Sequence, residues 1–408
     1  MAKCITLPQF STKPLSSESI AGAEFTYKIF NKIANVPAIV LEELGCSESF
    51  FFSPYYWKSY EEAFSKKIAF RYIIIFHSGE AVAFAPFQII NFDGNNIANA
   101  NAEDNLLQKL KTSLVKNIVN LVSIRLLVSG NTFLTGELSL FIKKGFLLND
   151  KLATAYYSSI ETLMNHEQIK GVLIKDFYKE TAHSLTVLEK NGFLKFQVNP
   201  NMEMDISSDW NTIADYEKAL SSKYRVRYHK ALERAEGLVF RELTVTDTET
   251  YEPILNGLLQ DVLRNSDFKL FNPDIAYMKS LQAHFPEIFR ITGFFRNDDL
   301  IGFYSTYLNN KELVACFVGM NKMFLKQHDL YLNILFKLIE QAITLKTTSL
   351  IFGRTAMEIK SAVGALPKEM YLFVKHACPV RNYLVHKSIK TLSKNAKWTL
   401  REPFKKKR

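Results

Sequence analysis

Two stretches decide the fold: FRYIIIFHSGEAVAFAPFQII, from Phe70 to Ile90, and FRITGFFRNDDLIGFYSTYL, from Phe289 to Leu308. Each is an aromatic and β-branched run broken once by turn-forming residues, His77-Ser78-Gly79-Glu80 in the first and Asn297-Asp298-Asp299 in the second. That pattern predicts a pair of antiparallel strands in each case, because branched and aromatic side chains suit a pleated, half-buried surface and Gly, Asn and Asp tolerate the turn. The two stretches superimpose without a gap. Phe70-Arg71 then meets Phe289-Arg290, Phe76 meets Phe295, Val82 meets Ile301 and Phe84 meets Phe303.

Working outward, the same order of elements follows both hairpins. A strand comes next, Ile124 to Val128 and Glu312 to Val318, and then a helical pattern, Leu152 to Met164 and Leu330 to Leu345. Each helix leads to an apolar strand, Val172 to Lys175 and Ser349 to Phe352, and to a further helix near a Gly, Ala182 to Gly192 and Ala356 to Gly364. A meander feeding a β-α-β crossover predicts a mixed sheet with helices on its faces, an α/β (α+β) class with two tandem units. The helix from Leu330 is apolar around most of its circumference and is expected to be heavily buried against the central strands.

A chain of 408 residues exceeds the usual size of one core, which agrees with two units. Asn199-Pro200-Asn201 interrupts the apolar pattern and Asp205 to Asp209 is polar, so the expected division is 1–206 and 207–390, followed by a basic tail at 391–408. Trp398 and Leu400 suggest that the tail docks, with a sheet edge of the first unit as its expected place. Lys405 to Arg408 read as a solvated run.

With 47% apolar and 23% charged residues the composition is that of a globular protein. No apolar run reaches membrane-spanning length, and Met1 to Leu15 lacks a signal pattern, so a cytoplasmic monomer is the expectation. Cys4, Cys46, Cys316 and Cys378 are scattered, which indicates incidental thiols, with no metal site. His77, His183, His284 and His376 stand alone. Nucleophile-elbow, zinc-protease and phosphate-loop motifs are missing. A net charge of +10 favours polyanionic partners such as nucleic acid, coenzyme A or anionic lipid.

Three stretches carry candidate chemistry. On a helix from Ser222 to Glu236, Lys223, Arg227, Lys230 and Arg234 fall in one stripe, while Tyr224, Tyr228, Ala231 and Ala235 fall on another side. Such a stripe suits polyphosphate or an RNA backbone, or else a surface helix paired with neighbouring acids. Next, Phe352-Gly353-Arg354-Thr355-Ala356-Met357-Glu358-Ile359-Lys360 leaves an apolar strand through Gly353 and Arg354, where open α/β sheets bind ligands. Thr355 and Glu358 there have capping-box spacing. Lastly, Ser129-Gly130-Asn131-Thr132 and Thr135-Gly136-Glu137 are polar islands at strand ends. They read as loop turns, or as a place where Glu137 serves as a base or orients an amine.

The Tyr216 segment with Ser222-Lys223-Tyr224-Arg225-Val226-Arg227, the hairpin ending in Val318-Gly319-Met320-Asn321, and Phe352-Gly353-Arg354-Thr355 together resemble the GNAT acyltransferases. The likeness is greatest to their FemAB-like branch with two such domains in tandem. It implies a sheet splayed between its middle strands, where acyl-CoA or aminoacyl-tRNA sits while an amine attacks the acyl carbonyl without a covalent enzyme intermediate. The acceptor would be a small-molecule or peptide amine. On this resemblance the main site lies in the second unit, roofed by the first. Arg354 and Lys360 hold an anionic group beside Gly353 and Thr355, and Glu358 or Tyr304 assists proton transfer. Lys322 and Lys326 meet donor phosphates, because Asn321 to Asp329 lacks the Gly-rich pyrophosphate loop of coenzyme A users. If tRNA is the donor, the Lys223 to Arg234 stripe serves it. Two rival readings are a catalytically degenerate relative that binds nucleic acid or glycan, and a membrane-surface partner anchored by the tail and Trp398.

Overall fold

The computed structural model describes residues 24–92, 124–264, 273–392 and 398–405. Cys4, the segment Met1 to Leu15 and the terminal Lys406 to Arg408 lie outside the described residues. The strands are β1 (Phe25–Phe30), β2 (Ala69–His77), β3 (Glu80–Phe92), β4 (Ile124–Ser129), β5 (Phe141–Ile142), β6 (Gly171–Tyr178) and β7 (Leu194–Asp205) in the first half. The second half contributes β8 (Leu238–Glu242), β9 (Phe289–Arg296), β10 (Asp299–Asn309), β11 (Glu312–Met320), β12 (Ser349–Gly353) and β13 (Leu366–His376). They form one sheet in the order β1-β2-β3-β4-β6-β13-β7-β12-β11-β10-β9-β8, with β5 beside β3.

The repeat expected from the two hairpins is present at the level of register. Phe70 faces Gln88 and Phe289 faces Tyr307, Ile75 faces Ala83 and Phe294 faces Gly302, all at the offset of the sequence overlay. Both hairpins carry a bulge on the second strand shortly after the turn, at Val82 and at Ile301. Both turns place two residues at positive φ, Ser78 (+50°) with Gly79 (+88°) and Asn297 (+47°) with Asp298 (+69°), the twist that a two-residue hairpin needs.

The centre of the sheet departs from a simple tandem. β13, the last strand of the second half, lies between β6 and β7 of the first, and β7 in turn pairs with β12. The two halves have exchanged their final strands, so the strand order reads as a palindrome about the β13–β7 pair. Asn199-Pro200-Asn201, expected to interrupt the regular pattern, lies within β7. The register there shifts between Val198 and Asn201, and Asn199-Pro200 forms the bulge. A proline removes a ladder hydrogen bond and is tolerated at such a bulge.

Three apolar cores form among the described residues. One lies under the helix Asp150–His166 on the first half, and another under the helix Leu330–Thr344 on the second, where Leu332, Ile334, Leu335, Leu338 and Ile339 are buried as expected. The third occupies the other face and belongs to both halves. There the helix Pro54–Phe64 meets the helix Ile275–His284, and Tyr56, Trp57, Tyr60 and Tyr277 are fully buried together.

The tail does not complete a sheet edge of the first half. It docks on the second: Ser221 N–H donates to Pro403 O (2.8 Å), Lys405 N–H donates to Ala219 O (3.1 Å), and Phe404 packs beside Trp210 and Tyr216. A Cβ on Gly364 would come within 2.5 Å of the Phe404 ring, so that glycine (φ +112°) makes the seat. Phe404→Ala is expected to cost about 2–4 kcal/mol, measured by urea denaturation, because the seat cannot close over the lost ring.

Candidate functional site

β11 and β12 run side by side only where Glu312 to Val314 face Ser349 to Ile351. β12 ends at Gly353, whereas β11 continues to Met320, so beyond Val314 its β12-facing edge has no strand partner among the described residues. At the point of parting β11 is bulged: Cys316 and Phe317 together oppose Ser305, whose Oγ accepts the Phe317 N–H at 3.2 Å. A bulge bends its strand and re-aims backbone groups, a device common next to active sites.

The first half closes the equivalent gap with its own chain. β4 stays paired with β6 through Ser129 and Ile174. The following loop is then pinned by Lys175, whose buried Nζ donates to Leu134 O (3.1 Å) and to Asn131 O, and by Ser139 Oγ donating to Lys175 O (2.7 Å). The Asn131 side chain accepts from the Phe133 and Leu134 amides (2.8 and 3.0 Å), and Thr132 meets Tyr60, so this island is a buried turn. Glu137 Oε1 accepts the Tyr178 N–H at 2.7 Å, occupying a backbone donor at the end of β6. Burial raises the Glu137 carboxyl above its usual range.

At the end of β12, Gly353 (φ +80°) turns the chain, while in β6 Asp176 (φ +61°) sits at a bulge two residues before the strand ends. A Cβ at Gly353 would meet nothing, so only its backbone conformation requires glycine. Arg354 reaches into the first half, its Nη1 donating to Asp176 Oδ1 at 2.7 Å. The expected capping box is not formed. The helix is short, Met357–Ser361, and starts from Ala356 at φ +51° without a side-chain cap, leaving Thr355 exposed. Glu358 instead pairs with Arg401 of the tail, which holds its carboxyl below the usual range, with a smaller contribution from Arg227.

Lys360 is 3% exposed, and its Nζ donates to Phe352 O (2.6 Å) and Gly353 O (3.2 Å), so its ammonium fixes the turn rather than facing an open cleft. Burial pushes its pKa down to about 7. The unfolded chain then binds more protons than the folded one between pH 7 and the ordinary lysine value, so this group's penalty is largest below pH 7 and is relieved as pH rises. Relative to Lys360→Met, the parent is expected to gain stability across that window, by up to about 1.4 kcal/mol per pH unit. Denaturation at stepped pH measures it.

The other sequence candidates fall into separate places. On the helix Ser222–Arg234, Tyr228 and Ala231 are buried and Lys223, Arg227, Lys230 and Arg234 are exposed, as the stripe predicts. Arg234 pairs with Asp329 (2.7 Å) at the start of the helix Leu330–Thr344, near the exposed Lys322 and Lys326 of the short helix Lys322–Gln327. The Asp329 side chain, held by Arg234, does not cap the first turn of Leu330–Thr344. Tyr304 is buried against Phe294 with its hydroxyl bonded to Thr292, and burial pushes it up to about 12, so it stays protonated.

One group escaped the sequence reading. Glu203 on β7 accepts from Asn201 Nδ2 (2.8 Å) and from the Tyr178 hydroxyl, and pairs with Lys368 of β13 at 2.6 Å. Glu312 lies close by, its carboxyl raised by burial and by Glu203. The signal was present: Asn201, Glu203 and Asp205 alternate with the buried Met202 and Met204, which is the mark of a strand with one polar face.

No protein-family model and no curated protein matches the sequence. Among solved structures, FemX aligns over 87% of this chain and 98% of its own, at 10% identity and a TM-score of 0.51. A tandem GNAT protein from the clavulanic acid biosynthesis pathway aligns over 86% and 99%, at 10% identity and a TM-score of 0.48. L-PGS from Bacillus licheniformis aligns over 89% and 98%, at 11% identity and a TM-score of 0.45.

Proposed function

We propose that this chain, which has the tandem GNAT-superfamily fold in its FemAB-like form, transfers an acyl group to an amine in the opening between β11 and β12. The observation that carries the reading is the parting of these strands beyond Val314 at a bulge, in the half whose counterpart is sealed. The backbone donors along the edge of β11 that has no strand partner among the described residues suit the oxyanion that forms when a nitrogen attacks an acyl carbonyl. In that step a C–N bond forms and the carbon–sulfur bond of a thioester, or the carbon–oxygen bond of an ester, breaks. The amine's proton passes to a base, and the leaving group departs as a thiol or hydroxyl. Positioning supplies much of the rate, so a covalent nucleophile is not needed.

For the proton, Glu312 at the foot of the opening is better matched than Glu358, because its carboxyl is raised whereas Arg401 holds Glu358 low. Tyr304 is too buried to take it. Gly353 and Thr355 line the turn at the end of β12, and Arg354 and Lys360 shape that turn from either side. An activated acyl ester or thioester supplies the group to be transferred. Its phosphates would meet the first turn of Leu330–Thr344, with Lys322 and Lys326 beside it. The exposed Lys223, Arg227 and Lys230 favour a donor with phosphates beyond that turn, such as aminoacyl-tRNA, over acyl-CoA.

Incubating the protein with acetyl-CoA, longer acyl-CoAs or aminoacyl-tRNA and a pool of amines should yield an acylated amine detectable by mass spectrometry. The effective donor should also raise the melting temperature. Salt-dependent RNA binding with neither product nor donor stabilisation would replace this reading with that of a binding protein.

A further inference from the structure

The helix Pro379–Leu392, which follows β13, turns apolar side chains to solvent. Val380 is 70% exposed, Tyr383 68% and Leu384 41%. At about 100° per residue these three and Lys387 share less than a third of the circumference, with Arg381 at the margin. Arg381 and Lys387 are exposed as well, whereas the opposite side, with Asn382, Val385, His386 and Ile389, is half-buried. Asn382 fastens that side to the sheet. Its Nδ2 donates to Gly192 O (2.9 Å) and its Oδ1 accepts the His376 N–H (2.8 Å). The fold therefore holds the apolar crest outward.

The charge around the crest has one sign. Between Glu369 and Glu402 the chain carries seven cations and no acid, and five of the seven fall from Arg381 to Lys397. Lys170, exposed on the turn before β6, adds to them: its carbonyl accepts the Ala377 N–H at 2.9 Å. Burial lowers the His376 pKa, and Arg381 and Lys170 lower it further, which places both cations at this end of the sheet. Glu189, on the turn leading to Gly192, pairs with Lys195 at 2.8 Å. A nucleic acid would use the cations and leave Val380, Tyr383 and Leu384 without a role. A bilayer with anionic headgroups uses both, because cations meet the phosphates while aliphatic side chains enter the acyl boundary and a tyrosine ring settles at headgroup level. The tail does not offer its aromatic residues for this purpose, since Trp398 and Phe404 pack on the core of the second half.

We infer that Val380, Tyr383 and Leu384, with Arg381 and Lys387 beside them, dock this helix on the surface of an anionic lipid bilayer. β13 runs in the same direction as β11 and β12, so the helix stands at the end of the sheet where β11 outruns β12. The docked surface then lies at the end that holds the opening. Such docking is independent of whether the opening transfers an acyl group.

The test is flotation of the full chain with vesicles of phosphatidylcholine alone and with vesicles in which about a third of the lipid is phosphatidylserine. Partition onto the anionic vesicles should exceed that onto the neutral ones about tenfold or more, and should fall as salt is raised. Tyr383→Ser combined with Leu384→Ser should lower it about tenfold, Arg381→Ala about fivefold, and Tyr383→Trp should preserve it. All these side chains are exposed, so circular dichroism and melting should match the parent. Absence from the anionic vesicles, or equal partition onto both kinds, would overturn the inference. So would anionic partition that survives Tyr383→Ser with Leu384→Ser, which would assign the binding to charge alone, as expected of a nucleic-acid surface.

Discussion

Fragments 1–206 and 207–408, expressed separately, are expected to be insoluble or unfolded, and to recover native secondary structure only when produced together. Each fragment would keep one exchanged strand without its neighbours: β7 would lose both β13 and β12, and β13 would lose both β6 and β7. Each would also expose half of the shared aromatic core, where Phe50 packs on Phe285 and Tyr307, and Tyr60 on Tyr277. Apolar burial on that scale, at about 25 cal/mol per Å², is large compared with the 5–15 kcal/mol by which domains are typically stable. Circular dichroism and size-exclusion chromatography of the fragments, alone and mixed, measure the outcome. Cooperative melting of either fragment alone would show that the un-exchanged pairings suffice.

The second large effect concerns the contact between the halves at Asp176. This carboxylate is 1% exposed, receives Arg354 Nη1 at 2.7 Å, and lies 3.6 Å from the buried ammonium of Lys175. Asp176→Ala would leave Lys175 in a low-dielectric site without its counter-charge, at a cost of about 3–5 kcal/mol. Burial already pushes the Lys175 pKa down to about 8. Arg354→Ala should cost less, about 1–3 kcal/mol, since Asp176 keeps Lys175. Urea denaturation of both variants and of the double variant gives the coupling between them. If Arg354→Ala melts like the parent, the ion pair contributes nothing to the fold, and the guanidinium is free to serve a bound anion.

The candidate site was only partly legible in the sequence. Gly353 marked the end of β12 correctly, because a strand leaving through glycine is a local signal. The partners of Arg354 and Glu358 were not legible, since Asp176 is 178 residues from Arg354 and Arg401 is 43 from Glu358. Thr355 and Glu358 have the spacing of a capping box, yet the chain places Ala356 in the left-handed region and starts the helix beyond Thr355. Spacing alone does not choose the backbone conformation. Asn201 and Glu203 are not legible as strand residues because Asn199-Pro200 has the local signature of an element's end, whereas the sheet absorbs Asn199 and Pro200 in a bulge.

What the sequence determined by itself was therefore periodic and local. The two hairpins, their turns, their shared offset and the long buried helix follow from alternation, turn chemistry and helical spacing within twenty or so residues. What the tertiary structure decided was the pairing of distant edges: which strand fills the centre of the sheet, which half stays open, and which charges meet at the junction. β6 and β12 offer similar free edges to β7 and β13. The choice between them is made by the packing of helices from both halves into one core, a many-body balance that no short stretch of the chain encodes.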